Sequence, residues 1–267
     1  MINTEELPLS KAKQIIRLHT KKYRQQSRLF LIEGVRGVNQ AIQQKNLSLK
    51  YLVTQEDTNR EIIEVASLIR EINIYKTTTD EFNRISATET NQGVLLVAEI
   101  PDIISFDNIT PKKYPFILIA DGIRDPGNLG TMYRTAAWLG VDAIISAEKT
   151  VDLFNPKCIR STAGAIGSIP FSECLLESHL PELRKRGYEI VALGLNEEAI
   201  SLYDFNPKRG TALITGNEAH GLSDAAKQFA KSIYIPGNTY KVESLNASVA
   251  ASLAISHIKN NMNPKTN

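Results

Sequence analysis

The chain has 267 residues, 42% apolar and 22% charged, with a formal net charge of +2; it is long enough for two domains and ordinary for a globular protein. No stretch reaches the roughly 20 apolar residues of a membrane span, and the polar, acidic start Met1–Glu6 lacks a signal-peptide core. Two cysteines, Cys158 and Cys174, with no Cys-x-x-Cys pair, and four scattered histidines argue against a zinc site and for a reducing compartment, so a metal-free cytoplasmic protein is expected.

Taken in order, the chain begins basic. Residues 1–50 hold ten Lys or Arg against three Glu, whereas residues 51–110 hold four against eleven acidic residues. The basic excess is densest at Lys21, Lys22, Arg24 and Arg28, around Tyr23, which suits either a phosphate backbone or a solvated helix face. Ser10 is placed to cap a helix running to about Gln25, with Ile15, Ile16 and Leu18 inward. Leu29–Ile32 reads as a buried strand, and Glu33-Gly34 as the turn into a helix holding Val35, Val38, Ala41 and Ile42. Strand signals follow at Leu49–Val53, Ile72–Tyr75 and Gly93–Ile100, with helices near Arg60–Arg70 and Thr79–Ile85. This alternation predicts a small α/β domain over residues 1–100, and the Pro- and Asp-bearing stretch 101–114 reads as a linker.

A second α/β domain is expected over residues 115–267. The continuous apolar run Phe116–Ala120 suits a strand covered on both faces. Further strands are expected at Ala143–Ser146, Glu189–Leu193, Ala212–Thr215 and Ser232–Ile235. Three loops follow such strands. Asp121–Ala137 opens with two glycines, Gly122 and Gly127, and a proline in a tight turn, with Asn128 beginning a helix and positions 128, 131 and 134 expected on one face of it. Asn offers a donor and an acceptor, and Arg134 a planar fork suited to phosphate. Gly216-Asn217-Glu218-Ala219-His220-Gly221 lies where open α/β sheets bind ligands, its glycines permitting close backbone approach. In the third, Ile235-Pro236-Gly237 stops a strand and Ser244 is placed to cap a last helix. Apolar positions Leu245, Val249, Leu253, Ile255 and Ile258 recur there at helical spacing.

The three stretches occur in one order: Asn-x-Gly-x-x-x-Arg at 128–134 as the notation of that loop, Gly-Asn-Glu-x-x-Gly at 216–221, and Ile-Pro…Ser-Leu-Asn at 235–246. Together they resemble the SpoU-type RNA ribose 2′-O-methyltransferases of the SPOUT superfamily, over Phe116 to about Lys259. Asn155-Pro156-Lys157 and Arg160–Ala165 are also similar to that family. Phe30–Gly34 and Gln92-Gly93-Val94 resemble, more loosely, its ribosomal-protein-like substrate domain. The resemblance implies a deep trefoil knot, a homodimer formed through the knotted domain, and S-adenosylmethionine held near Gly216, Ile235 and Leu245. It also implies that Arg134, Asn128, Glu218, Ser244 and Asn246 serve the reaction, and that the substrate is RNA, ribosomal RNA being favoured over transfer RNA by the N-terminal domain. A non-methylating RNA-binding relative has no need of that whole polar set, and a nicotinamide enzyme would show the absent Gly-x-Gly-x-x-Gly.

Overall fold

The structure, a computed structural model, describes residues 4–56 and 72–262; the helix expected near Arg60–Arg70 lies outside the described residues. The chain divides into two compact units, Met1–Pro101 with Asp152–Ser168, and Asp102–Val151 with Ile169–Asn267.

The first unit contains strands β1 (Glu5–Glu6), β2 (Leu29–Glu33), β3 (Leu49–Gln55), β4 (Asn73–Thr77) and β5 (Val94–Glu99), and helices α1 (Leu9–Leu18), α2 (Lys21–Ser27), α3 (Val35–Gln43) and α4 (Thr79–Ile85). Its sheet has the order β1-β4-β3-β5-β2, with β5 antiparallel to both β2 and β3 and the other pairs parallel. Alternate strand residues Leu31, Val53, Leu95 and Val97 pack with Ile15 and Leu18 of α1 and Phe82 and Ile85 of α4, the period-2 pattern of a strand meeting the helical pattern. The helix read as running from Ser10 to Gln25 is two helices. Pro8 precedes α1, Ser10 lies inside it, and Thr20 adopts extended geometry before α2. Ile16, expected inward, is exposed.

The second unit contains strands β6 (Phe116–Ala120), β7 (Ala143–Ala147), β8 (Phe171–Cys174), β9 (Glu189–Leu193), β10 (Ile200–Ser201), β11 (Thr211–Thr215) and β12 (Lys231–Tyr234). They form one parallel sheet in the order β10-β12-β9-β11-β6-β7-β8. All five residues of β6 are buried, as a continuous apolar run in a doubly covered parallel sheet should be. Its helices are α5 (Pro126–Leu139), α7 (Leu176–Lys185), α8 (Asp224–Phe229) and α9 (Ala247–Met262), while α6 (Pro156–Ser161) belongs to the first unit. Ile117, Ile119, Ile145 and Ile214 pack with Leu176, Leu180 and Leu183 of α7 and with Ala225 and Ala226 of α8. The helix α9 packs on β11 and along α5. These two helices run parallel. Asn246 meets Asn128, Ser252 Oγ lies 3.1 Å from Thr135 Oγ1, and Lys259 lies against Gly140.

Two boundaries differ from the sequence reading. Residues 101–114 are no free linker: Ile109 is fully buried in the second unit's core and Ile104 N donates to Phe171 O. Residues 152–168 leave the unit that contains their neighbours, because Arg24 forks onto Asp152 and Phe30 packs on Phe154 with ring centroids 5.0 Å apart. Among the described residues, no helix is long and apolar enough to cross a membrane.

Candidate active site

Strand order in the second sheet reverses at β6, whose neighbours β11 and β7 are reached in opposite directions. Such a switch point leaves a crevice at the strands' C-terminal ends. There Ala120 stands opposite Thr215, and the loops that follow are tied together. Asp121 N donates to Thr215 O, Ser223 N to the buried carboxylate of Asp121 at 2.7 Å, and Asn217 Nδ2 to Gly122 O at 2.8 Å. Asn217 Oδ1 in turn accepts from Ala219 N and His220 N. Asp121 and Asn217 thus hold the loops in place. The sequence reading passed over both, although each sits at a strand's end beside a glycine.

The start of α5 is capped by Asp125, whose Oδ1 accepts from Asn128 N at 2.8 Å, with Pro126 at the first helical position. Asn128 is therefore inside the first turn, and its side chain is free to reach outward. Its Nδ2 donates to Glu218 Oε1 at 2.5 Å and its Oδ1 accepts from Asn246 Nδ2 at 3.0 Å. Residues 90 and 118 positions apart in sequence are joined in one hydrogen-bonded chain.

Asn246 also begins α9. Its Oδ1 accepts from Ser248 N, Ser248 Oγ and Val249 N, so Asn246 is the cap that Ser244 was expected to be. Ser244 is exposed in the loop before it. Arg134 is not part of the chain: it is exposed and has no hydrogen bond or ion pair among the described residues. Six residues at 3.6 per turn place it about 120° round the helix from Asn128 and about 9 Å along it, so the expectation of one shared face fails. The outward stripe also differs. Leu245, Val249 and Leu253 are 49%, 47% and 42% exposed, while Ala247, Ala251, Ala254, Ile255 and Ile258 are buried.

Gly216 is required by its own loop. A Cβ there would stand 2.7 Å from Gly221 O and 2.9 Å from Leu222 N, across the bridge that pairs Asn217 with Gly221. The close approach is of backbone to backbone. Gly194, which follows β9 and donates from its N to Ile233 O, was not singled out from the sequence. A cavity of about 330 Å³ opens beside the crevice, lined by Asp121, Arg124, Lys149, Asn217 and Ser223 among others and by none of Gly216, Ile235 or Leu245. At the end of β8 the thiol of Cys174 is pushed up to about 12, first by burial and then by the charges of Glu148 and Asp121, so it stays protonated and is no nucleophile.

In the first unit, Lys21 and Lys22 are exposed, as phosphate contacts must be. Arg24 is not. It is 2% exposed, donates from Nε and Nη2 to Asp152 Oδ2 at 3.0 and 2.6 Å, and from Nη1 to Leu18 O. Asp152 and the Leu18 carbonyl draw its side chain under the helix although it lies on nearly the same helix face as exposed Lys21, and it is not available to RNA phosphates. Arg28, exposed and left-handed at φ 54°, donates to Ile100 O at 3.0 Å.

Comparison with known proteins gives one direction. Residues 115–256 match the SpoU rRNA Methylase family and residues 10–96 the MRM3-like substrate binding domain. The chain is 33% identical over 261 residues to the 23S rRNA (guanosine(2553)-2′-O)-methyltransferase RlmP of Bacillus subtilis, covering 97% of this chain and 100% of that one. It is 28% identical to the 23S rRNA (guanosine-2′-O-)-methyltransferase RlmB of Neisseria meningitidis, over 85% of this chain and 94% of that one. The AdoMet-bound rRNA methyltransferase from Sinorhizobium meliloti is 26% identical and matches with a TM-score of 0.83 over 96% of this chain and 98% of that one.

Proposed function

The chain belongs to the SpoU rRNA methylase family, and from that premise we propose that it transfers a methyl group from S-adenosylmethionine to a ribose 2′-oxygen of ribosomal RNA. The observation that carries this reading is the hydrogen-bonded chain Glu218–Asn128–Asn246 at the sheet's switch point. The residues fit the methyl donor. Strands β12, β9 and β11 end side by side, Gly194 and Gly216 keep side chains off the backbone there, and Ile235 and Leu245 offer partly exposed apolar surface. When bound, S-adenosylmethionine would supply an electrophilic methyl group; in-line attack by the ribose 2′-oxygen would form the new O–C bond as the S–C bond breaks, with S-adenosylhomocysteine leaving and the hydroxyl proton lost to water or phosphate.

The chain's own residues position and stabilise. Both ends of the Asn128 amide are engaged, which fixes Glu218 and Asn246 relative to each other. A Glu218 oxygen not taken by Asn128 orients the ribose hydroxyl, and Ser244 lies in the exposed loop leading to Asn246. Arg134 supplies donors to the ribose and its phosphate. A guanidinium donates hydrogen bonds and accepts none, so its part is to stabilise the developing oxyanion rather than to remove the proton. Lys21 and Lys22, with Arg28 beside them, hold RNA phosphates, and removing both lysines should flatten the salt dependence of RNA binding.

Assembly belongs to the same reading. The adjacent helices α5 and α9 leave Trp138, Val249 and Leu253 exposed, Trp138 by 88%. We place a second copy of the chain on this face, with Arg134, on the same helix as Trp138, serving the partner's site. Mixing Arg134→Ala with Glu218→Ala chains should then restore activity; no recovery would put both groups in one subunit's site. The trefoil knot is supported by the path from β12, at the far side of β9, to α9 against α5. Pulled from its ends, a knotted denatured chain should extend less than its residue count allows. Cys158 and Cys174, both buried and neither in a disulfide, suit a cytoplasmic location.

The deciding experiment incubates the protein with methyl-labelled S-adenosylmethionine and separate pools of unmodified 23S ribosomal RNA transcript and transfer RNA. Label on a single ribose 2′-oxygen of the ribosomal transcript is expected. Label on a base, or on transfer RNA alone, would overturn the assignment.

A further inference from the structure

The first unit holds a cavity of about 300 Å³, a size at which small-molecule sites begin. It lies between the start of α3, the end of the β2 strand and α6, and none of the residues assigned above to catalysis lines it. Its floor is apolar, formed by Ile32, Val94 and Ile159. Two guanidinium groups line it, Arg36, which is exposed, and Arg160. Arg160 Nη1 is shut off from solvent with no hydrogen-bond partner, and neither arginine has a side-chain partner among the described residues. A buried guanidinium nitrogen without an acceptor is costly, and a fold that keeps one needs a reason. The remaining wall holds Thr88, Thr90, Asn91 and Gln92 and one charged acceptor, Glu33. Glu33 holds its carboxylate there by accepting from Ser86 Oγ and Ala87 N at 2.9 Å and from Thr88 Oγ1 at 3.2 Å.

The cavity is built by a close approach of backbone. At Gly164, φ +86°, a Cβ would stand 2.4 Å from Gln40 Cβ and 2.9 Å from Gly37 O, so only glycine lets the turn after α6 lie against α3. That turn brings Arg160, from outside the matched substrate-binding segment 10–96, to a wall formed by that segment.

We propose that this cavity takes one unpaired nucleotide of the RNA substrate, its phosphate against Arg36 and Arg160 and its base on the apolar floor, with the base's donor edge toward Glu33. Unpaired RNA bases are read by covering a face, on rings or guanidinium planes, and by hydrogen bonds at the base edge; here aliphatic side chains cover the face. The charge order selects the orientation, because a phosphate against Glu33 would meet like charge. The proposal rests on the reading of the chain as an RNA methyltransferase and extends it from the reacting ribose to a second point of recognition.

Three variants test it. Arg160→Gln removes the guanidinium whose Nη1 is shut off from solvent. Gly37→Met fills the space: a Cβ at Gly37 is 3.4 Å from its nearest neighbour, Ile32 Cγ2, an ordinary contact, and its φ is not left-handed. Arg36→Gln changes an exposed side chain and keeps the fold. Binding to unmodified 23S ribosomal RNA transcript is measured by filter retention over a range of salt, with S-adenosylmethionine affinity measured by calorimetry. Each variant should weaken RNA binding about tenfold, and each arginine variant should lower the salt slope by about one. Affinity for S-adenosylmethionine should not change. If the wild type methylates the transcript while folded Arg36→Gln and Gly37→Met bind RNA within twofold of it at unchanged slope, the cavity is no nucleotide site. If the wild type neither binds nor methylates any RNA, the methyltransferase reading fails first, and this inference with it.

Discussion

Arg24 and Arg134 have the same side chain and opposite surroundings. Arg24 is enclosed, with three nitrogens committed to Asp152 and Leu18; Arg134 is exposed and uncommitted. Removing one partner of an enclosed ion pair leaves the other charge stranded. Arg24→Gln should therefore destabilise the first unit by about 3 kcal/mol, the lower end of that range because Asp152 keeps 15% of its exposure. Urea unfolding followed in the first unit checks this, and an unchanged midpoint would make the pair dispensable. Arg134→Ala should leave thermal stability unaltered and slow single-turnover methyl transfer on the order of 100-fold, as loss of an oxyanion donor does. Arg134→Lys should be nearly as slow, because an ammonium lacks the planar fork. Near-wild-type turnover in either variant would remove Arg134 from the reaction. From the sequence both arginines sit in polar, basic or glycine-rich contexts, and nothing local separates them; burial depends on Asp152, which is 128 residues away.

At the scale of elements, the last helix and the loop before it show how one residue serves two purposes. Asn246 caps α9 through Ser248 N and Val249 N while its amide nitrogen reaches Asn128. Asn246→Ala should lower stability by about 1 kcal/mol through the lost cap and also free Asn128. Ser244→Ala should leave the melting temperature unchanged, since Ser244 caps nothing, while reducing methyl transfer if the loop residue serves the reaction. A melting temperature lowered equally by both would restore Ser244 as the cap. Gly216 belongs at this scale too. The 2.7 Å approach of a Cβ to Gly221 O means that Gly216→Val rearranges the loop itself, so its effect on S-adenosylmethionine binding is not separable from loop geometry.

For the whole molecule, the unexplained surface is apolar. Trp138, Val249 and Leu253 lie outward on neighbouring parallel helices, where a lone globular unit gains nothing from them. Trp138→Glu with Leu253→Asp should convert a dimer to a folded monomer in analytical ultracentrifugation, with methyl transfer lost and RNA binding by the first unit retained. A wild-type chain that sediments as a monomer at micromolar concentration would leave that face without its proposed partner.

Much of this architecture was legible in the sequence because local pattern dictates local structure. A run such as Phe116–Ala120 has no polar face to show solvent, so it reads as an interior parallel strand, and the strand ends locate the three polar loops. The split of the first helix at His19-Thr20, the cap at Asn246 rather than Ser244 and the burial of Arg24 were not legible, because His19 meets Ile85 O, Asn246 is also held by Asn128 and Arg24 pairs with Asp152, all distant in the chain. The same holds for the outward face of α9: helical periodicity finds a stripe, and only the neighbouring helix decides which stripe is covered. Residue type and spacing determined which groups carry chemistry. Tertiary structure decided which of them meet, since hydrogen bonds and buried charges are satisfied in space and not along the sequence.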